Sequence, residues 1–175
     1  TVHLYVTHSA FGPDDDENTQ SLLQSWRSTH AEQLFLNGIR NGDIVFYNGH
    51  SRDGGGPDFS PPKTVSGHVY YPWYTKNQIG TQLLMGALAE NPMQPKVLGL
   101  FSCKSSSHFA ERALKTSPKT ALITSSNLLY YADALKNIMG TLSGILEMSC
   151  EKEMALLLQA EAPHSKSVLE NFFSP

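Results

Sequence analysis

The sequence predicts an α/β domain of three layers, with helices flanking a mostly parallel sheet, and three observations predict it. Short runs of branched and aromatic residues recur at 2–7, 43–48, 96–101 and 120–125, each bounded by turn formers, as strands require. Between and after them lie longer stretches with a period near 3.6. The runs are apolar on both faces, the pattern of strands covered on two sides rather than one.

Each helix has its own signals. Over 28–40, Ala31, Leu34, Phe35 and Ile39 share a face, Thr29 with Glu32 forms a capping-box pattern, and Asn41-Gly42 ends the run. Over 78–90 the stack is Leu83, Leu84, Ala87 and Leu88, halted by Asn91-Pro92. Over 107–116 it is Phe109, Ala110, Ala113 and Leu114, halted by Ser117-Pro118. A longer stripe from 130 to 148 repeats Tyr131, Ala134, Leu135, Ile138, Leu142, Ile145 and Leu146, and two shorter helices are expected to close the chain. Residues 51–75, rich in Gly, Pro and aromatics, read as an ordered irregular loop beside a site.

Composition narrows the function classes. With 175 residues and 40% apolar content the chain has enough surface to bury for one domain, residues 1–175, without disulfide staples. Thirteen Lys and Arg against sixteen Asp and Glu leave a net charge of −3, so no dense basic face exists for a nucleic-acid backbone. No apolar run is long enough for a membrane span, and the first residues lack the form of a signal peptide. Because the sequence starts at Thr1 rather than Met, the domain is expected to be part of a longer precursor. Compartment and oligomeric state are left open.

Chemistry is sought beyond the carboxyl ends of the strands, where ligands gather in open parallel sheets. The run IVFYN leads into Gly49-His50-Ser51, and VLGLF leads into Ser102-Cys103-Lys104. If these strands are neighbours, an imidazole and a thiol leave the same edge, the pairing of general acid-base and nucleophile that acyl transfer needs. His50 and Cys103 are 53 residues apart. A His about 50 residues ahead of the Cys is a caspase-type spacing.

Over roughly residues 43 to 125, carried by the ordered segments DIVFYNGHSRDGGG and KVLGLFSCKSSS, the chain resembles the caspase-like cysteine peptidases of clan CD, which include caspases, metacaspases, legumain, gingipains, clostripain and separase. The resemblance implies a caspase-like three-layer fold and a cysteine endopeptidase acting on protein or peptide substrates without a cofactor. It implies that Cys103 is the nucleophile, that His50 protonates the leaving amine and activates the deacylating water, and that the backbone amides of Ser51 and Cys103 form the oxyanion hole. Most of the family has Gly where this chain has Ser51, so strain is expected if that residue sits at positive φ. Relatives that cleave after Arg or Lys carry an acidic residue two before the nucleophile; here it is Phe101. Asp53, Asp58, Ser125, Ser126 and Asn127 are the candidate substrate-binding residues.

Other readings are weaker. Ser51 lies in a near match to the nucleophile elbow G-x-S-x-G, but the fifth position is Asp53 and Gly54-Gly55-Gly56-Pro57 cannot open a helix. Lys63-Thr64 follows Pro62, so there is no phosphate-binding loop, and the glycines are expected to serve flexibility. Asp14, Asp16 and Asn18 match the first calcium-loop spacings, yet Thr19 and Ser25 stand where Gly and the final acid belong. No metal is expected: His3, His8, His30, His68, His108 and His164 are scattered. Cys150 reads as structural, and Tyr70, Tyr71, Trp73 and Tyr74 as packing under the loop. The reading from another class is a catalytically silent module that binds a protein through the aromatic segment 68–74.

Overall fold

The computed structural model describes residues 1–10, 19–91, 93 and 95–172. Four strands form one sheet in the order β1 (Ile44–Asn48), β4 (Val97–Phe101), β5 (Ala121–Ser125), β6 (Ser167–Glu170). The first three are parallel neighbours, with Ile44 opposite Val97 and Val97 opposite Ala121, and β6 runs antiparallel along β5. Every residue of β4 and β5 is buried, so the run of apolar side chains is covered on both faces as expected.

Alternation along the strands divides the core in two. On one face Val45, Tyr47, Leu98, Leu100 and Leu122 meet α1 (Gln24–Asn41), α3 (Ile79–Glu90) and α4 (Glu111–Thr116). On the other, Val97, Phe101 and Ile123 meet α5 (Tyr131–Leu146) and α6 (Glu151–Glu161). Helices therefore cover the sheet on both sides, and each fully buried aliphatic side chain contributes about 1.5–3 kcal/mol.

Between β1 and α3 lies a small insertion: the hairpin β2 (Thr64–Val65) and β3 (His68–Val69), then α2 (Tyr71–Asn77). Ser66 and Gly67, both left-handed, make its two-residue turn, the geometry that matches strand twist. The segment expected as irregular loop thus ends in regular structure.

Several expectations are corrected. Residues 2–7 form no strand; Val2, Leu4, Tyr5 and Val6 stay exposed, because strand composition gives a strand only where another edge accepts the backbone. The helix expected over 28–40 begins at Gln24, which places Thr29 and Glu32 inside it rather than at a cap. The chain closes with one helix and an antiparallel strand instead of two helices. On α5 the buried stripe consists of Ala134, Asn137, Gly140, Thr141 and Gly144, while Tyr131, Leu135 and Leu146 remain exposed. The cause is α6, whose Met154, Leu157 and Leu158 crowd against the two glycines. Asp14, Asp16 and Asn18 lie outside the described residues.

Candidate active site

The site is built by the pairing of β1 with β4. Asn48 and Phe101 are the last partners in register, and His50 and Cys103 each lie two residues further on, at the carboxyl edge of adjacent parallel strands. Beyond the last pair the chains stay joined, since the Gly49 N–H donates to the Phe101 carbonyl at 3.3 Å. His50 is exposed and Cys103 half-buried. The condition on which the sequence reading depended, that the two strands be neighbours, is met.

Cys103 enters a tight turn. Lys104 takes left-handed φ of 50°, Ser105 N–H closes on the Ser102 carbonyl at 3.2 Å, and a π-helical turn over Ser106–Ala110 leads into α4. Ser105 locks the turn to the sheet: its buried hydroxyl donates to the Leu100 carbonyl at 2.6 Å and accepts the Ser125 N–H at 2.9 Å. The loop after β5 leans on the same turn, with the Lys104 N–H donating to the Asn127 carbonyl at 2.8 Å. The thiol itself meets the Leu129 peptide groups, accepting the Leu129 N–H at 3.3 Å and facing the Leu129 carbonyl at 3.6 Å. A peptide segment of this chain thus lies against Sγ.

The loop after His50 is held from below. Ser51 sits in ordinary helical space at φ −78°, so the expected strain falls elsewhere: Arg52 and Asp53 are left-handed, at φ 47° and 52°. Arg52 is buried, its Nε 2.8 Å from Asp58 Oδ2 and its guanidinium 5.6 Å from the centre of the Tyr74 ring. The glycines that follow are packed rather than loose. The Gly55 carbonyl accepts the Thr81 N–H, and the Gly54 carbonyl accepts the Thr81 hydroxyl, fixing the loop to the first turn of α3.

The substrate-binding candidates separate by exposure. Asp58 is committed to Arg52 and to the Ser60 N–H, and Ser125 is fully buried with its hydroxyl on the Ser165 carbonyl. Asp53, Ser126 and Asn127 remain at the surface of the edge, the last two tied to the Lys166 and His164 carbonyls. Ser51, the rival nucleophile, is buried and is followed by a single 3-10 turn containing left-handed Arg52 and Asp53 rather than by the α-helix an elbow needs. Tyr74 packs inside while Tyr70 and Tyr71 are exposed, and Cys150 caps α6 in a capping box with Glu153. Among the described residues no cluster of three or more His, Cys, Asp or Glu could hold a metal ion, and no helix is long and apolar enough to cross a membrane.

Sequence reasoning missed His108, treated there as one of six scattered histidines. It lies one turn past Lys104, whose carbonyl accepts its N–H, and its Nε2 stands 4.0 Å from Asp53 Oδ1. The available signal was its position five residues after Cys103, on the first turn leaving the strand edge. Burial lowers its pKa, Asp53 opposes this and Lys104 adds to it, so the folded protein favours the neutral ring. A base whose folded pKa is depressed stabilises fully above its unfolded value of 6.5 and loses that contribution as pH falls toward the folded value. Thermal unfolding followed from pH 7.5 to 5 should therefore show a decline in Tm that is shallower in His108→Gln than in the wild type.

Comparison of the chain with protein-family models, curated proteins and solved structures finds no match.

Proposed function

We propose that this chain is a caspase-like cysteine endopeptidase with Cys103 as nucleophile and His50 as general acid-base. The observation that carries the reading is the register: both residues stand two positions beyond the last pair of adjacent parallel strands. The Cys103 sulfur, having given its proton to the imidazole, attacks the scissile carbonyl carbon, and the carbonyl oxygen takes the electron pair. Collapse of that intermediate breaks the C–N bond, and the amine leaves with the proton held by His50. Water then gives a proton to His50 while its oxygen attacks the thioester, and the thiol is restored as the acid departs. The amides of Ser51 and Cys103 are the proposed donors to the developing oxyanion. Substrate must first displace the Leu129 peptide group from Sγ.

One observation favours the alternative of a silent binding module: the thiol is already engaged by the chain's own backbone at Leu129. Peptidyl acyloxymethyl ketones with varied P1 side chains separate the two. Mass spectrometry should find the adduct on Cys103, lost in Cys103→Ala and strongly slowed in His50→Ala. Indifference of the wild-type protein across the probe set would remove the peptidase reading and leave the module.

A further inference from the structure

We propose that Tyr47 is a positioning residue for the oxyanion hole, acting by fixing the plane of the His50–Ser51 peptide. The inference rests on the peptidase reading for its chemistry, but its geometry is independent of it. The Tyr47 ring is buried against Phe35 and Phe59, with ring centres at 5.7 and 5.3 Å, so its hydroxyl has a defined place. That hydroxyl stands 3.0 Å from the His50 carbonyl oxygen and 3.1 Å from the Asp58 carbonyl oxygen, and accepts the Asp58 N–H at 2.8 Å. Of its two acceptors the His50 carbonyl is the nearer, and the Asp58 N–H donated to the hydroxyl oxygen fixes where that oxygen lies.

A peptide unit is planar and trans, so its C=O and N–H point in opposite directions. Holding the His50 carbonyl on Tyr47 therefore directs the Ser51 N–H away from that hydroxyl. The hold is anchored in turn, because Asp58 is fastened by the buried Arg52. Burial raises the Tyr47 hydroxyl pKa, so it remains a protonated donor wherever the protein is folded. A second feature points the same way: a Cβ on Gly49 would fall 2.4 Å from the Tyr47 hydroxyl. Only glycine at 49 lets a side chain two residues earlier reach over the turn to residue 50.

Oxyanion donors act on charge present in the intermediate and not in the ground state, so their displacement lowers kcat with little change in KM. Tyr47→Phe should lower kcat about 10- to 100-fold, a smaller loss than complete removal of a donor, and KM should move less than about threefold. Binding of a peptide aldehyde, which places an oxygen in the hole after adding to the thiol, should weaken in step with kcat. Alkylation by iodoacetamide, which develops no oxyanion, should stay within about twofold of wild type. The amide resonance of Ser51 in a ¹⁵N spectrum should shift. Gly49→Ala should reproduce the pattern and carries the comparison should Tyr47→Phe fail to fold, near-UV circular dichroism reporting folding for both. An unmoved Ser51 amide, or equal losses toward iodoacetamide and aldehyde, overturns the proposal. A shifted amide in a protein that neither cleaves peptides nor captures the aldehyde at Cys103 leaves the hold of Tyr47 on the His50–Ser51 peptide standing but overturns the peptidase reading, and with it the oxyanion role.

Discussion

Gly56→Ala is expected to leave the protein unfolded or destabilised by about 3–5 kcal/mol, the sum of a strained backbone and an unrelieved overlap. Gly56 has φ of 118°, and an added Cβ would fall 2.0 Å from the Thr81 nitrogen and 2.3 Å from the Gly80 carbonyl carbon. These are backbone atoms at the start of α3, so no side chain can swing aside. The neighbour is equally constrained, since a Cβ on Gly80 would lie 2.1 Å from the Pro57 carbonyl oxygen. Gly86→Ala provides the contrast: it sits within α3 with nothing within 4 Å of the added atom, and should stabilise by up to about 1 kcal/mol through helix propensity. Urea unfolding of the three proteins checks the ranking. A Gly56→Ala midpoint close to wild type would mean that the loop is not seated on α3.

The second large effect is expected at Arg52. Its side chain is 4% exposed and that of its partner Asp58 is 17% exposed, so Arg52→Met leaves a carboxylate with little water and no cation. Removing one member of such a buried pair costs about 3–5 kcal/mol, more than the net worth of the pair itself. Asp58→Asn in the Arg52→Met background should therefore recover part of the loss, and a double-mutant cycle by chemical denaturation should show strong coupling. Strict additivity would show that the two charges do not depend on each other. Because Asp58 also bonds Tyr47, the same variants should slow any reaction that needs the His50–Ser51 peptide in place.

The central strands were legible because their signal is local. In IVFYN, VLGLF and ALITS, branched and aromatic residues flanked by turn formers mark each strand to within a residue of its observed start. The segment VHLYVT carries the same signal without the same outcome, since a partner edge is a property of the whole fold. Conversely Ser167–Glu170 is too short and mixed to announce itself, and becomes a strand because β5 offers an edge. The placement of His50 and Cys103 followed from strand ends alone. The supports did not: Arg52 reaches Asp58, and Tyr47 reaches both His50 and Asp58, only after the loop has folded back over β1. The glycine run misled for the same reason. Three glycines in succession suggest freedom in a bare sequence, whereas here they permit contact with α3.

The parallel pairing of β1 with β4 also has a bearing on time. An antiparallel hairpin can close on a few residues, but Ile44 finds Val97 only after the insertion and α3 have been threaded between them. Contacts so distant in sequence are slow to form, because the entropy of closing the loop is lost before any pairing offsets it. During synthesis His50 leaves the ribosome well ahead of Cys103, and a chain stopped before β4 carries the imidazole with no thiol beside it. Under the proposed reading the Cys103–His50 pair therefore comes together only when β1 meets β4, so that a partly made chain has no dyad to act with.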